Sequence, residues 1–346
     1  MDAAKEQASR VEEEAASWNI PDLATLETAS VEELPIIDLA ALRNGQEGAV
    51  EELATKLMGV FNSTGFFLVA NHGCEEEVEA TLAMSRRYHT DLSTGTKERV
   101  PFGERGVGYL RINQRVLPKR AKGNMNASFI VKHEPGPRNI QIADNPFPPE
   151  EALPGFREQV MRYASCMKSL ALSLLPVFAT ALDLPCNYFT TAFTDPMFRL
   201  RLSHYPPTDP TSQQYGIAPH TDTSFLTLLA QDGNQGLVVS TPQGRWTKVP
   251  ATKHLLVVNT GELLRQWSND MVCSTPHFVV NLSGKDRWVG AGDALSRYSL
   301  PFFFNCSPTH VMSCLPSCTS ASNPPRYPPL TFLQSRAILD GSTALT

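Results

Sequence analysis

The chain has 346 residues, long enough for one large domain or two small ones, and its 42% hydrophobic and 19% charged content predicts a soluble globular protein with a sizeable core. A net charge of −5 without any lysine- or arginine-rich run argues against a nucleic-acid partner. The polar, acidic start MDAAKEQASRVEEEAAS is no secretory signal, and the longest apolar stretch, Leu170 to Leu184, is broken by Pro176 and too short for a bilayer, so no membrane contact and a cytoplasmic location are expected.

Residues 1–33 form an N-terminal extension, and LPIIDL (Leu34 to Leu39) reads as an edge strand. A helix is predicted over about 47–62, with Val50, Leu53, Leu57, Met58 and Phe61 on one side. GFFLVANHG (Gly65 to Gly73) reads as a buried strand and about 75–92 as a second helix. The stretch 99–149 is expected to be mostly loop, with Lys119, Arg120 and Lys122 a short solvated cluster. A long helix follows over about 151–183, with a kink at Pro176. Beyond Pro196 come short β-rich segments at near-regular spacing, which predicts a barrel or sandwich. The chain thus divides at 34–149, 150–196, 197–307 and a tail, 308–346. Seven cysteines without zinc-type spacing fit reduced thiols.

His-Thr-Asp occurs twice. The copy at His89-Thr90-Asp91 ends the second helix, where residues two apart diverge by about 200° and cannot share an ion; His89 reads as a surface or half-buried residue. The copy at His220-Thr221-Asp222 reads as part of a strand, where residues two apart share a face. With His277 from the later segment PHFVVNL, it makes two imidazoles and a carboxylate, the ligand set of non-heme iron(II) oxygenases. Arg297 and Ser299, again two apart on a strand, suit the carboxylate of an acid co-substrate.

From about Leu34 to Tyr327 the chain resembles the isopenicillin N synthase-like iron(II)- and 2-oxoglutarate-dependent dioxygenases. The likeness is carried by LPIIDL, GFFLVANHG, Gly108-Tyr109, Asn145 to Pro149, SHYPP, APHTDTSFLTLLAQD, Gly236-Leu237, VVNTGELL, STPHFVV and RYSLPFFF. It implies a mainly β fold with flanking α-helices: a double-stranded β-helix (jelly-roll) core at 197–307, an N-terminal dioxygenase region at 34–149 and a backing helix at 150–196. It also implies His220, Asp222 and His277 as iron ligands, and Arg297, Ser299 and Tyr205 as the holders of 2-oxoglutarate. Phe278, Glu262 and Ser203 depart from the usual residues, and GKDRWVGAGDAL reads as an inserted hairpin before Arg297; Arg287 lacks the following serine and is the weaker candidate.

The resemblance implies oxidation of a small-molecule substrate, with hydroxylation as the default outcome, using Fe(II), 2-oxoglutarate and O2 and releasing succinate and CO2. Substrate contacts are expected from Tyr109, Asn126, Phe129, Phe225 and Phe304, with 99–135 forming part of a lid. A monomer is expected. Two alternatives stay open: an iron(II) oxidase that does not use 2-oxoglutarate, and a non-catalytic small-molecule receptor on the same fold.

Overall fold

Period-two alternation in the second half of the chain produces two sheets with a shared interior. The computed structural model describes residues 18, 25–114, 123–136, 139–208, 214–281 and 296–339. The strands of its two main sheets are β1 (Ile36–Asp38), β2 (Phe66–Ala70), β3 (Gly108–Leu110), β4 (Ala127–His133), β5 (Met197–Tyr205), β6 (Ile217–His220), β7 (Leu226–Gln231), β8 (Leu237–Ser240), β9 (Trp246–Lys248), β10 (Leu256–Thr260), β11 (His277–Val279) and β12 (Arg297–Asn305). The large sheet runs β1-β2-β10-β7-β12-β5-β4-β3 and the small one β6-β11-β8-β9.

Each long strand sends alternate side chains to two different cores. Leu68, Tyr205, Leu229 and Val257 of the large sheet meet Leu237, Val239 and Val279 of the small one, forming the interior of the jelly roll. The opposite face of the large sheet, with Leu200, Leu202, Leu228, Phe302 and Phe304, is covered by helices. These are α1 (Ala49–Phe61), α2 (Glu75–Thr90) and α3 (Phe156–Ala181), the last packed on both others and under β12. Burial of so many leucine and phenylalanine side chains, at about 1.5–3 kcal/mol each, is the main favourable term holding helices to sheet.

Helix α3 starts after Gly155, whose φ of 75° suits glycine, and it runs through Pro176 without ending. By length and composition it is apolar enough to cross a membrane, unlike the shorter run expected from the sequence. Here its buried side chains serve the core, and the Tyr163 hydroxyl donates to the Leu300 carbonyl of β12 at 3.3 Å.

Several expectations are corrected. The stretch 99–149 is loop over most of its described length but also holds a strand pair that was not expected: β4 pairs along its whole length with β5 and carries β3 on its other edge. Its side chains are buried on both faces, so Ser128 and Lys132 mask the hydropathy signal of a strand. His89 is buried, with Nε2 3.0 Å from the Leu202 carbonyl oxygen. Cys74 and Cys166, expected as free thiols, form a disulfide linking the start of α2 to α3. The cluster Lys119–Lys122 and the insertion with Arg287 lie outside the described residues.

Candidate metal centre and active site

The segment read as one strand around His220 is two. β6 ends at His220, residues 221–225 cross the mouth of the jelly roll, and β7 begins in the other sheet. Asp222 sits in that crossing, so its place beside His220 comes from the turn and not from strand alternation. The turn is fixed by the Glu262 N–H, which donates to the Asp222 carbonyl at 2.7 Å. β11 runs antiparallel to β6 and makes His277 the direct cross-strand partner of His220. Intervening strands and the short helix α4 (Glu262–Trp267) return the chain to this point.

One ligand atom from each of His220, Asp222 and His277 lies within 4.8 Å of the others. Asp222 Oδ1 is 3.7 Å from His220 Nε2 and 3.6 Å from His277 Nε2. Both Nδ1 atoms face carbonyls, Ala218 at 2.8 Å and Thr275 at 3.0 Å. A carbonyl can only accept, so each Nδ1 carries the proton and each Nε2 presents its lone pair to the centre. Asp222 Oδ2 accepts from Thr227 Oγ1 at 2.7 Å and from Asn259 Nδ2 at 2.9 Å, which turns Oδ1 toward the imidazoles. The donor set fits a divalent transition metal with one face left open.

The electrostatics agree with this arrangement. Burial raises the Asp222 carboxyl, but the pull of both imidazoles and Asn259 outweighs it and holds the group well below the usual carboxylate range. Burial and the neighbouring His277 push His220 down to about 4. For His277 burial is outweighed by Asp222, and the net direction is upward. The carboxylate therefore favours one imidazole over the other before any metal is bound. Replacing Thr227 with valine or Asn259 with alanine is expected to weaken Fe(II) binding about 10–100-fold, read by anaerobic titration.

Arg297 opens β12 opposite Tyr205 of β5, with its guanidinium 4.8 Å from the tyrosine ring centre. It is 1% exposed, and Nη2 donates to Gln231 Oε1 at 2.9 Å. Nε, Nη1 and the buried Ser299 hydroxyl have no hydrogen-bond partner among the described residues. A buried guanidinium with idle donors is costly unless an anion meets it. A Cβ at Gly236 would lie 3.1 Å from Arg297 Cδ and 2.7 Å from the Val280 carbonyl, so glycine is needed for the guanidinium stem to pass.

A cavity of about 260 Å³ opens from His220 and Asp222. Of the five substrate candidates only Asn126 lines it. Phe129, Phe225 and Phe304 belong to the helix-side core, and Tyr109 packs against that core beside Tyr88. Alternation explains the difference: on β12 it is Phe303 and Asn305 that face the cavity, and Phe304 between them cannot. Phe225→Ala should cost about 3–5 kcal/mol of stability in a denaturant melt while leaving KM for 2-oxoglutarate unchanged. The expected lid region does supply wall residues, including Leu110, Arg111 and Asn124. Reasoning from sequence missed Arg199, Arg201 and Lys132; two arginines at period two in the otherwise apolar MFRLRLSHY were the available signal.

The three departures have structural accounts. Phe278 points away from the imidazoles and packs on Trp246 and Tyr215. Glu262 is buried and accepts from Arg265 Nε at 2.9 Å. Ser203 shares a hydrogen bond with Ser128 at 3.1 Å.

Residues 194–305 match the 2OG-Fe(II) oxygenase superfamily, and residues 34–150 match the family described as non-haem dioxygenase in morphine synthesis, N-terminal. The chain belongs to the 2OG-Fe(II) oxygenase superfamily. This oxygenase is 29% identical over 311 residues to a 2-oxoglutarate-Fe(II) type oxidoreductase, hxnY, of Emericella nidulans, covering 86% of each chain. Its fold is similar to that of a full-length Neurospora crassa protein crystallised in complex with alpha-KG and thymine, with a TM-score of 0.76, 25% identity and 89% and 96% of the two chains covered. It is also similar to JOX2 in complex with 2OG, Fe and JA, with a TM-score of 0.73, 27% identity and coverage of 95% and 92%. The oxygenase is thus a 2-oxoglutarate- and Fe(II)-dependent dioxygenase of jelly-roll fold that acts on small molecules.

Proposed function

We propose that this oxygenase hydroxylates its small-molecule substrate at an iron(II) held by His220, Asp222 and His277, with Arg297, Ser299 and Tyr205 gripping the distal carboxylate of 2-oxoglutarate. The observation that carries the metal assignment is the convergence of two Nε2 lone pairs and Asp222 Oδ1 while every other donor or acceptor of the three side chains is occupied. The idle Nε and Nη1 of Arg297 and the idle Ser299 hydroxyl support the carboxylate assignment. These unpaired donors favour the 2-oxoglutarate-dependent reading over an oxidase that has no such anion to bind.

When bound, iron provides the site of O2 activation and 2-oxoglutarate the two electrons, leaving as succinate and CO2. The chain's own residues set the geometry. Thr227 and Asn259 aim Asp222, the Ala218 and Thr275 carbonyls fix the imidazole tautomers, and Arg297 orients the co-substrate from a water-poor recess.

Anaerobic titration with Fe(II) and then 2-oxoglutarate tests the reading. A weak visible charge-transfer band, then succinate formation on admitting O2 with substrate, is expected. Absence of iron binding overturns the enzyme assignment and leaves the receptor alternative. Iron binding without keto-acid chelation points instead to the oxidase.

A further inference from the structure

On β5, Arg199 and Arg201 alternate with Leu200 and Leu202, which face the helix-side core. Both arginines therefore enter the cavity bordered by His220 and Asp222. β4 sets Lys132 directly across from Arg199. The helix α5 (Phe332–Leu339), near the C-terminal end of the described chain, adds Phe332 and Arg336, one turn apart on the face that closes the cavity.

These groups form one charge cluster. The Lys132 ammonium is 3.3 Å from Glu134, and the two side chains are 4% and 1% exposed. Lys132 also feels the positive fields of Arg199 and Arg336, and burial together with those neighbours pushes it down to about 8. Lys132, Arg199 and Arg336 thus share this stretch of wall with Glu134, and Arg201 lies between them and His220. Arg111, also on the cavity wall, is paired with Glu98 at 2.9 Å and adds little. Among the described residues this concave wall carries more cations than carboxylates, and such a wall focuses a positive field that favours an anion entering the cavity.

The cluster is not the 2-oxoglutarate site. Arg297 faces Tyr205 at the far end of β5, and Tyr205 is six positions along the strand from Arg199, about 20 Å at the usual rise. His220 and Asp222 line the same cavity as the cluster, whereas Arg297, Ser299 and Tyr205 are not among its lining residues. The cavity, at about 260 Å³, lies close to the lower end of the range for ligand sites and suits a small metabolite.

We propose that the substrate of this oxygenase is a small organic carboxylate, whose anionic group sits among Arg199, Lys132 and Arg336 while its oxidisable carbon reaches toward His220. This rests on the assignment of the iron and 2-oxoglutarate sites above. Arg336 makes α5 part of the recognition site, so the substrate's charge helps to hold that helix over the cavity. Asn126 and Asn305, on the same wall, supply neutral polar contacts along the length of the molecule.

The test uses the full chain loaded anaerobically with Fe(II) and 2-oxoglutarate, with calorimetric titration of benzoate, phenylacetate, their primary amides and phenyl phosphate. At least one carboxylate should bind about tenfold or more tightly than its amide, as expected for charge-assisted hydrogen bonds. Arg336→Gln, on a half-buried helical position, should reduce that preference to about threefold or less with the charge-transfer band intact. Arg199→Gln should do the same from the strand side, which guards against a fault in one variant's folding. Equal binding of acid and amide, tighter binding of phenyl phosphate, or no carboxylate binding at millimolar concentration overturns the proposal. Failure of the charge-transfer band to form instead removes the iron and 2-oxoglutarate assignment, so the two readings fail separately.

Discussion

Replacing His277 with alanine is expected to abolish Fe(II) binding and activity while the jelly roll stays folded. Its Nε2 is one of three ligand atoms that meet at the centre among the described residues, and its cross-strand partner His220 cannot move to replace it. The loss should exceed the about 10–100-fold that removal of an outer hydrogen-bond partner costs. His277 also packs edge-on against Phe66, so His277→Gln is the better control for lost volume. Both variants are checked by anaerobic iron titration beside a thermal melt. Iron binding retained at wild-type affinity in a folded variant would mean that another residue completes the set.

The second large effect is at Arg297. Arg297→Met should raise KM for 2-oxoglutarate by an amount equivalent to about 2–5 kcal/mol, roughly 30- to several-thousand-fold, with Fe(II) affinity unchanged. The apo form of the variant should melt no lower than wild type. The native guanidinium is buried with two of its nitrogens unpaired among the described residues, and an apolar side chain removes that penalty. Stabilisation by added 2-oxoglutarate should vanish in the variant. A melt in which 2-oxoglutarate still raises the transition by the wild-type amount would show that the co-substrate binds elsewhere.

Much of this architecture was legible in the sequence because the chemistry of the site constrains it. The helices over 49–61, 75–90 and 156–181 follow apolar periodicity within a few residues of their predicted limits. His220, Asp222, His277 and Arg297 stand out because charged or metal-ligating residues within or beside apolar segments need a reason to be there. What escaped was sidedness. Phe129, Phe225 and Phe304 look like cavity residues until the register of β4, β7 and β12 is known, and a shift of one residue moves a side chain to the other core. β4 escaped for a related reason: a strand buried on both faces shows no alternation, and Lys132 made it look solvated. The disulfide escaped because Cys74 and Cys166 lie 92 residues apart and meet only when α2 packs on α3.

The crossing of residues 221–225 between sheets has a mechanical consequence. His220 and His277 belong to the small sheet, whereas Asp222 is tethered through Thr227 and Asn259 to β7 and β10 of the large one. A metal bound by all three would rivet the two walls together at the open end of the roll. Loading should therefore slow amide exchange in β6 and β11 more than in β5 or β12, and raise the unfolding free energy in step with metal concentration. Metal starvation would then leave the enzyme not only silent but loosened at its mouth, the part most exposed to proteases.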